Sequence, residues 1–318
     1  VEADVVAGPL LAMKAQDAGV CYSLAYGDQP ALICEHVDWA RSCGFEVTAA
    51  GKGTRYLPEY HSLTPDTVWN VLSEYLDIDD PNSINLQMFN SFLDGSKSAI
   101  EMTAVCNATG LVPQAAGLTF PPSSRFSLAD VCKPEQDGGA LTRSGTTEVV
   151  SSLKRSGESV DHHLAMGTFV IVKPGTDYAR QCFREYHMLP DESGLYGALY
   201  RPTHMIGLEL GLSVASVALR GEPTGQPYCF SSDVVAVAKR DLKAGEMLDG
   251  EGGHCVYGQQ MPASLSIAKD ALPLGLSGGV TLSRGVSAGQ VLCEADTALD
   301  NSDDAVKARR MMISGFAS

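Results

Sequence analysis

A chain of 318 residues, 44% of them hydrophobic, is long enough for two domains and a substantial core. Its net charge of −15, with no cluster of lysine or arginine, argues against a nucleic-acid partner and against an anionic membrane surface. No apolar run approaches the ~20 residues of a membrane span, and no charged n-region followed by an apolar stretch opens the chain, so a soluble, cytoplasmic protein is expected.

The first fifty residues alternate helical and strand patterns: helix about 8–18, strand 20–25, helix 29–43 and strand 45–50. This αβαβ rhythm is that of a parallel, doubly wound sheet. Asp28 ahead of Gln-Pro is an N-cap with proline in the first helical turn, and Gly44 suits the far end of the same helix. A nucleotide-binding sheet normally opens with a strand, a Gly-rich turn and a helix that cradles phosphate. Here no such segment precedes the pattern, so residues 1–58 read as the second half of a Rossmann-like NAD(P)-binding domain. In "FEVTAAGKGTRYLP" a buried strand is expected to run into a Gly-Lys-Gly turn, where glycines let backbone and ligand come close to Lys52.

Residues 59–230 are mixed and read as an α+β catalytic or dimerisation domain. The pattern predicts a helix from Thr64-Pro65 to about Leu76, with Val68, Leu72 and Tyr75 on one face. A second helix over about 94–109 ends at Gly110. "TTEVVSSL" and "GTFVIVK" predict strands, and "TDYARQCFREYH" a helix. "PTHMIGLELGLSVASVAL" predicts a helix from Pro202 to the residue before Gly221, apolar enough to favour a homodimer. From 231 to about 300 the chain becomes glycine-rich, and "KRDLKAGEML" (239–248) is echoed by "SRGVSAGQVL" (283–292). Two such units point to a small pseudo-symmetric β module. The tail, 301–318, reads as a frayed helix or disordered.

Nine cysteines stand singly with no C-x-x-C pair, the pattern of reduced, buried thiols. On the 94–109 helix, Lys97 and Glu101 share a face, with Asp94 one turn earlier. An exposed pair of this kind contributes only ~0.3–0.5 kcal/mol. Ala99, Ile100, Met102, Ala104 and Val105 make the helix apolar nearly all round, however, so a buried and functional pair is the competing reading. "YGDQP" (26–30) sits where doubly wound sheets bind ligands; a helix cap and nothing more is the competing reading of Asp28. Arg201 and His204 at a helix start suit an anion such as phosphate; a capped core helix with a satisfied histidine is the plainer alternative. His162 and His163 point apart on any regular element, which disfavours a metal site.

"GDQPALICEHVDWARSCGFEVTAAGKGT", "FLDGSKSAIEMTAVCNATGL", "YRPTHMIGLELGLSVASVALRGEPTG" and "VVAVAKRDLKAGEMLDGEGG" together resemble the homoserine-dehydrogenase-like oxidoreductases that carry a C-terminal SAF module. The best-known members are the 1-deoxy-D-xylulose 5-phosphate reductoisomerase-like enzymes. The resemblance implies a Rossmann domain binding NADPH, a central catalytic domain and a SAF-type β-clip. It implies conversion of 1-deoxy-D-xylulose 5-phosphate to 2-C-methyl-D-erythritol 4-phosphate, a step towards isoprenoids, with a divalent cation (Mg or Mn). Without the Gly-rich loop, the chain as it stands is expected to bind NADPH poorly.

The likeness places Lys52 at the catalytic strand-end lysine, and Lys97 and Glu101 at an acid/lysine helix pair in reversed order, which speaks against homoserine itself. On this reading Lys52, Lys97 and Glu101 are catalytic, and Asp94, Arg201 and His204 bind substrate. Tyr26, Gly27, Asp28 and Gly51 line the cofactor, and Asp94 with Glu101 could hold the metal. Two alternatives accompany it: an NAD(P)-dependent dehydrogenase of another polyol phosphate or sugar acid, and a non-catalytic SAF-containing binding protein.

Overall fold

The computed structural model describes residues 1–78 and 80–316. After an extended N-terminal segment come α1 (Gly8–Asp17) and α2 (Gln29–Ser42), then β1 (Glu46–Thr54). Short α3 (Trp69–Leu72), α4 (Leu86–Leu93), α5 (Ser96–Thr109) and α6 (Leu128–Val131) lead to β2 (Thr146–Ser151) and β3 (Thr168–Lys173). Then follow α7 (Asp177–Glu185), β4 (Gly197–Arg201), α8 (Leu210–Arg220), β5 (Ser232–Ala238), β6 (Val256–Pro262), α9 (Ala263–Ala268) and α10 (Asp304–Phe316).

The main sheet has the order β2-β1-β3-β4, with β1 parallel to β2 and antiparallel to β3, and β3 antiparallel to β4. It is therefore mixed, not the run of parallel strands expected, and residues 1–58 supply its central strand rather than a sheet of their own. The expected strand over 20–25 is absent. That segment is extended but pairs only at isolated points, Leu24 N–H with Gly225 O and Ala25 N–H with Val1 O.

Strand alternation sends Ala50, Val149, Val170 and Val172 to the face covered by α2 (Ile33, Val37, Ala40) and α5 (Met102, Val105, Cys106). Ala49, Val150, Phe169, Ile171 and Ala198 turn to the other face, against Leu128, Ala129 and Cys132. The cap signals of α2 hold: Asp28 accepts from Gln29 N–H, proline is in the first turn and Gly44 follows with φ +77°. So do those of α5, which ends at Gly110 with φ +72° and is buried on nearly all sides.

Other expectations move. The Gly-Lys-Gly stretch is not a turn, because β1 continues through it to Thr54. A Cβ at Gly51 would overlap the Glu148 carbonyl oxygen, and one at Gly53 the Leu164 carbonyl, so close backbone packing explains both glycines. The helix expected over 64–76 shrinks to one turn, with Val68 and Leu72 buried but Tyr75 exposed. Helix α8 starts eight residues after Pro202. The intervening stretch is a loop holding Gly207 at φ +79°, and Arg201 ends β4. Leu210, Leu212, Val214 and Leu219 of α8 are exposed. All nine cysteines are free, but Cys43 is exposed and only Cys34, Cys106, Cys132 and Cys255 are buried.

The C-terminal module is pseudo-twofold. Leu242 and Val286, at the same position of the two sequence copies, exchange backbone hydrogen bonds of 2.8 and 3.0 Å. Gly289 N–H reaches Ala238 O at 2.8 Å, and its counterpart Gly245 N–H reaches Leu282 O at 2.8 Å. Leu242, Leu248, Val286 and Leu292 share one core with β5 and with Ala99 and Ala104 of α5. The tail is an ordered helix docked on this module. Met312 is buried, and buried Arg309 pairs with buried Asp233, which also accepts from Ser266; residues 317–318 of the tail lie outside the described residues. No helix among the described residues is long and apolar enough to cross a membrane.

Removing one member of a buried ion pair strands the other charge. Arg309→Ala is expected to destabilise the protein by about 3–5 kcal/mol in urea unfolding, and Asp233→Ala added to it should recover part of that loss.

Candidate active site

Lys52 is two residues from Ala50 on β1, so it projects toward α5 and not toward α6. It is 5% exposed and forms an ion pair with Glu101, itself 2% exposed. Lys97, one turn before Glu101, lies 3.4 Å from Glu101 Oε1, 3.4 Å from Glu2 and 3.9 Å from Asp28 Oδ2. Strand β1, helix α5 and the start of α2 thus bring Lys52, Glu101, Lys97 and Asp28 into one cluster. The cluster lies on the wall of a cavity of about 680 Å³, the size of a small-molecule site. His204 also lines this cavity, its Nδ1 donating to Met166 O at 2.8 Å.

Asp28 is 2% exposed. Burial first, and then the negative charge of Glu101, push its carboxyl up to about 6, although Lys97 pulls the other way. Burial would pull the Lys97 ammonium down, but Glu101, Asp28 and Glu2 together outweigh it and hold this lysine above the ordinary range.

The other expected site residues lie elsewhere. Asp94 Oδ1 caps α5 by accepting from Ser96 N–H at 2.9 Å, and its Oδ2 sits 2.8 Å from Lys239 Nζ. Lys239 also donates to Leu63 O and Gly253 O, each at 2.7 Å, which makes this a structural clamp between α5 and the C-terminal module. Arg201 is off the cavity, paired with Glu209 and 3.4 Å from the Tyr26 hydroxyl, so it is not placed to hold a substrate phosphate. Tyr26 Oη donates to Glu35 at 2.5 Å. Gly27, at φ +96°, packs under Met205 O and Glu209, and Gly51 is covered by Glu148. Of the four residues expected at the cofactor, only Asp28 lines the cavity.

A metal held by Asp94 and Glu101 does not fit. Both carboxylates are committed to separate partners, and no group of three or more His, Cys, Asp or Glu side chains among the described residues is placed to hold a metal ion.

The family model for the catalytic domain of oxidoreductase DRL matches residues 27–210. The chain belongs to the DRL oxidoreductase family. The matched span covers more than half of the chain and contains Asp28, Lys52, Lys97, Glu101 and His204, every cluster residue that motif reading had picked out. No curated protein matches the chain. This is an oxidoreductase of the DRL and homoserine-dehydrogenase-like kind.

Several cavity residues escaped sequence reading: Gln29, Met88, Phe92, Met166, Ile206 and Glu251. Gln29, beside Asp28 in "YGDQP", had a local signal; Glu251 had none, since the C-terminal module brings it to the DRL cavity from outside the matched span.

The folded pKa of Asp28, about 6, lies above the ordinary value of 3.8, so the wild type gains stability as pH falls through 6. Its charged form is a liability at neutral pH. Asp28→Asn, which keeps a cap oxygen, is expected to raise stability at pH 7 by about 1–3 kcal/mol. That gain should fade below about pH 4 in denaturant titrations run at a series of pH values.

Proposed function

We propose that the protein is an NADPH-dependent oxidoreductase that interconverts a hydroxyl and a carbonyl group on a small polyhydroxylated substrate, in the cavity walled by Lys52 and Lys97. The observation that carries this is the Lys52–Glu101–Lys97 cluster on the cavity wall. Two ammonium groups on one wall can polarise a carbonyl oxygen and stabilise the alkoxide that forms on reduction. Glu101, between them, sets their positions and offsets their mutual repulsion.

The residues present fit the nicotinamide end of the cofactor. Met88, Phe92, Ile100, Met166 and Ile206 give the same cavity an apolar lining suited to a ring. NADPH, when bound, supplies the hydride. The pseudo-twofold module, read as a SAF-type clip, contributes Glu251 to the lining.

The reductoisomerase reaction on 1-deoxy-D-xylulose 5-phosphate is one form of this function and rests on the family likeness. The charges favour the second form, a dehydrogenase of an unphosphorylated polyol. The lining holds Glu2, Asp28, Glu101 and Glu251 against Lys52 and Lys97, both already in ion pairs, while Arg201 is spent on Glu209. A phosphate dianion in such a lining would meet more negative than positive charge.

The test is a substrate panel with NADPH and NADH followed by nicotinamide absorbance, containing 1-deoxy-D-xylulose 5-phosphate, neutral ketoses and sugar acids. Reduction of a neutral ketose in preference to the phosphorylated sugar is expected; no turnover with any of them defeats the reading. With the accepted substrate, Lys52→Met should lower kcat by about 10²–10³ with KM changed little. A near-normal kcat would remove Lys52 from the chemistry.

A further inference from the structure

Asp28 Oδ2 is buried and has no hydrogen-bond partner, although its sister oxygen accepts from Gln29 N–H at 2.9 Å. An orphaned carboxylate oxygen is expensive in a protein interior, and its persistence points to a role. The charged group beside it is Lys97, with Nζ 3.9 Å away and its side chain 20% exposed. The other titratable groups around the cavity are Glu101 of α5, Lys52 of β1, Glu2 of the N-terminal segment, His204 of the loop after β4 and Glu251 of the C-terminal module.

The two other carboxylates that the sequence placed in the site have close cations. Glu101 Oε2 is taken by Lys52 and Oε1 by Lys97, while Asp94 holds Ser96 N–H and Lys239. Asp94 Oδ2 likewise accepts no hydrogen bond but has Lys239 Nζ 2.8 Å away, whereas Asp28 Oδ2 has its cation, Lys97, only at 3.9 Å, and both Asp28 and Lys97 line the cavity.

We propose that Asp28 is the terminal proton acceptor of the site, taking a proton from Lys97 as Lys97 takes one from the substrate hydroxyl. This rests on the hydroxyl–carbonyl chemistry proposed above. In the oxidation direction the substrate O–H bond breaks and its proton passes to Lys97 Nζ. A proton of the Lys97 ammonium passes to Asp28 Oδ2. The electron pair of the carbinol C–H bond leaves as hydride to an oxidised nicotinamide. The substrate loses two electrons and the nicotinamide gains them, Lys97 ends as an ammonium ion, and Asp28 ends as a neutral acid. Reduction runs the same path backwards. A carboxyl pushed up to about 6 by burial is matched to this task near neutral pH. Asp28 acts through Lys97, and so is a positioning and relay residue rather than one that touches substrate.

The test uses the full chain labelled with ¹³C-aspartate, with the Asp28 carboxyl resonance identified by its loss in Asp28→Asn. A titration midpoint near 6 is expected, and one in the ordinary aspartate range overturns the relay. With an accepted polyol and oxidised nicotinamide, wild-type kcat/KM should fall about tenfold per pH unit below roughly 6. Asp28→Asn should lower kcat by about 10²–10⁴ and flatten that limb, with KM within a few-fold, and Asp28→Glu should restore the limb. A pH limb intact in Asp28→Asn refutes the role of Asp28 alone. A wild type without any nicotinamide-linked turnover refutes the proposed function itself.

Discussion

The Lys52–Glu101 ion pair is the constraint around which the molecule is arranged. It joins the central strand of the main sheet to the most deeply buried helix, and neither partner has solvent to fall back on. Two charges taken out of water stay charged only if their geometry is fixed from both sides. Strand β1 provides one side. Lys52 is flanked by glycines because the Glu148 and Leu164 carbonyls press against the backbone there, leaving no room for a Cβ on the opposite face. Helix α5 provides the other, gripped by α2 and β2 on one side and by β5 and β6 on the other.

That second grip explains why a β module should be attached to a catalytic sheet at all. Lys239, from the first copy of the internal repeat, reaches across to Asp94 at the cap of α5, and Ala99 and Ala104 of the same helix enter the module's core. Asp233 on β5 is in turn neutralised by Arg309 from the C-terminal helix. The module thus clamps the helix that carries Lys97 and Glu101, and the twofold pairing of its equivalent turns closes over an apolar core that this helix shares. Loosening it would shift two charged groups at the cavity by way of a helix that does not itself belong to the module.

Legibility in the sequence followed the range of the interaction. Helices α2 and α5 were readable because their signals are local: Asp28 as a cap, Gly44 and Gly110 beyond their ends, and an apolar surface all round α5. The repeat was readable because symmetry copies its own pattern. The i, i+4 relation of Lys97 and Glu101 was readable for the same reason as the helices. What failed was non-local. Gly-Lys-Gly resembles a turn when seen alone, and only the Glu148 carbonyl from another strand shows why it is straight. Pro202 looks like the first turn of a helix, yet the Arg201–Glu209 pair and Gly207 keep the chain in a loop for eight more residues. Asp94 looked like a substrate or metal ligand because its true partner, Lys239, lies in a different part of the chain. The tail looked frayed because the partner of Arg309 is a buried aspartate on β5.

The same distinction sorts structural from functional charge in this molecule. Asp94, Asp233 and Glu148 are all fully buried, and each is answered by its surroundings: Lys239 and a helix N–H for the first, Arg309 and Ser266 for the second, and a nest of backbone N–H groups, a glutamine and a threonine for the third. Burial alone therefore carries no functional message here, since folding has satisfied these carboxylates within the chain. Asp28 differs in kind. Its neighbours at the cavity are more carboxylates than cations, its unpaired oxygen has a cation only at 3.9 Å where that of Asp94 has one at 2.8 Å, and burial with the charge of Glu101 pushes its carboxyl up to about 6. A fold able to answer three buried acids could have answered a fourth. Leaving that one underpaid, beside an ammonium that reaches the cavity, keeps a proton site that can be both filled and emptied.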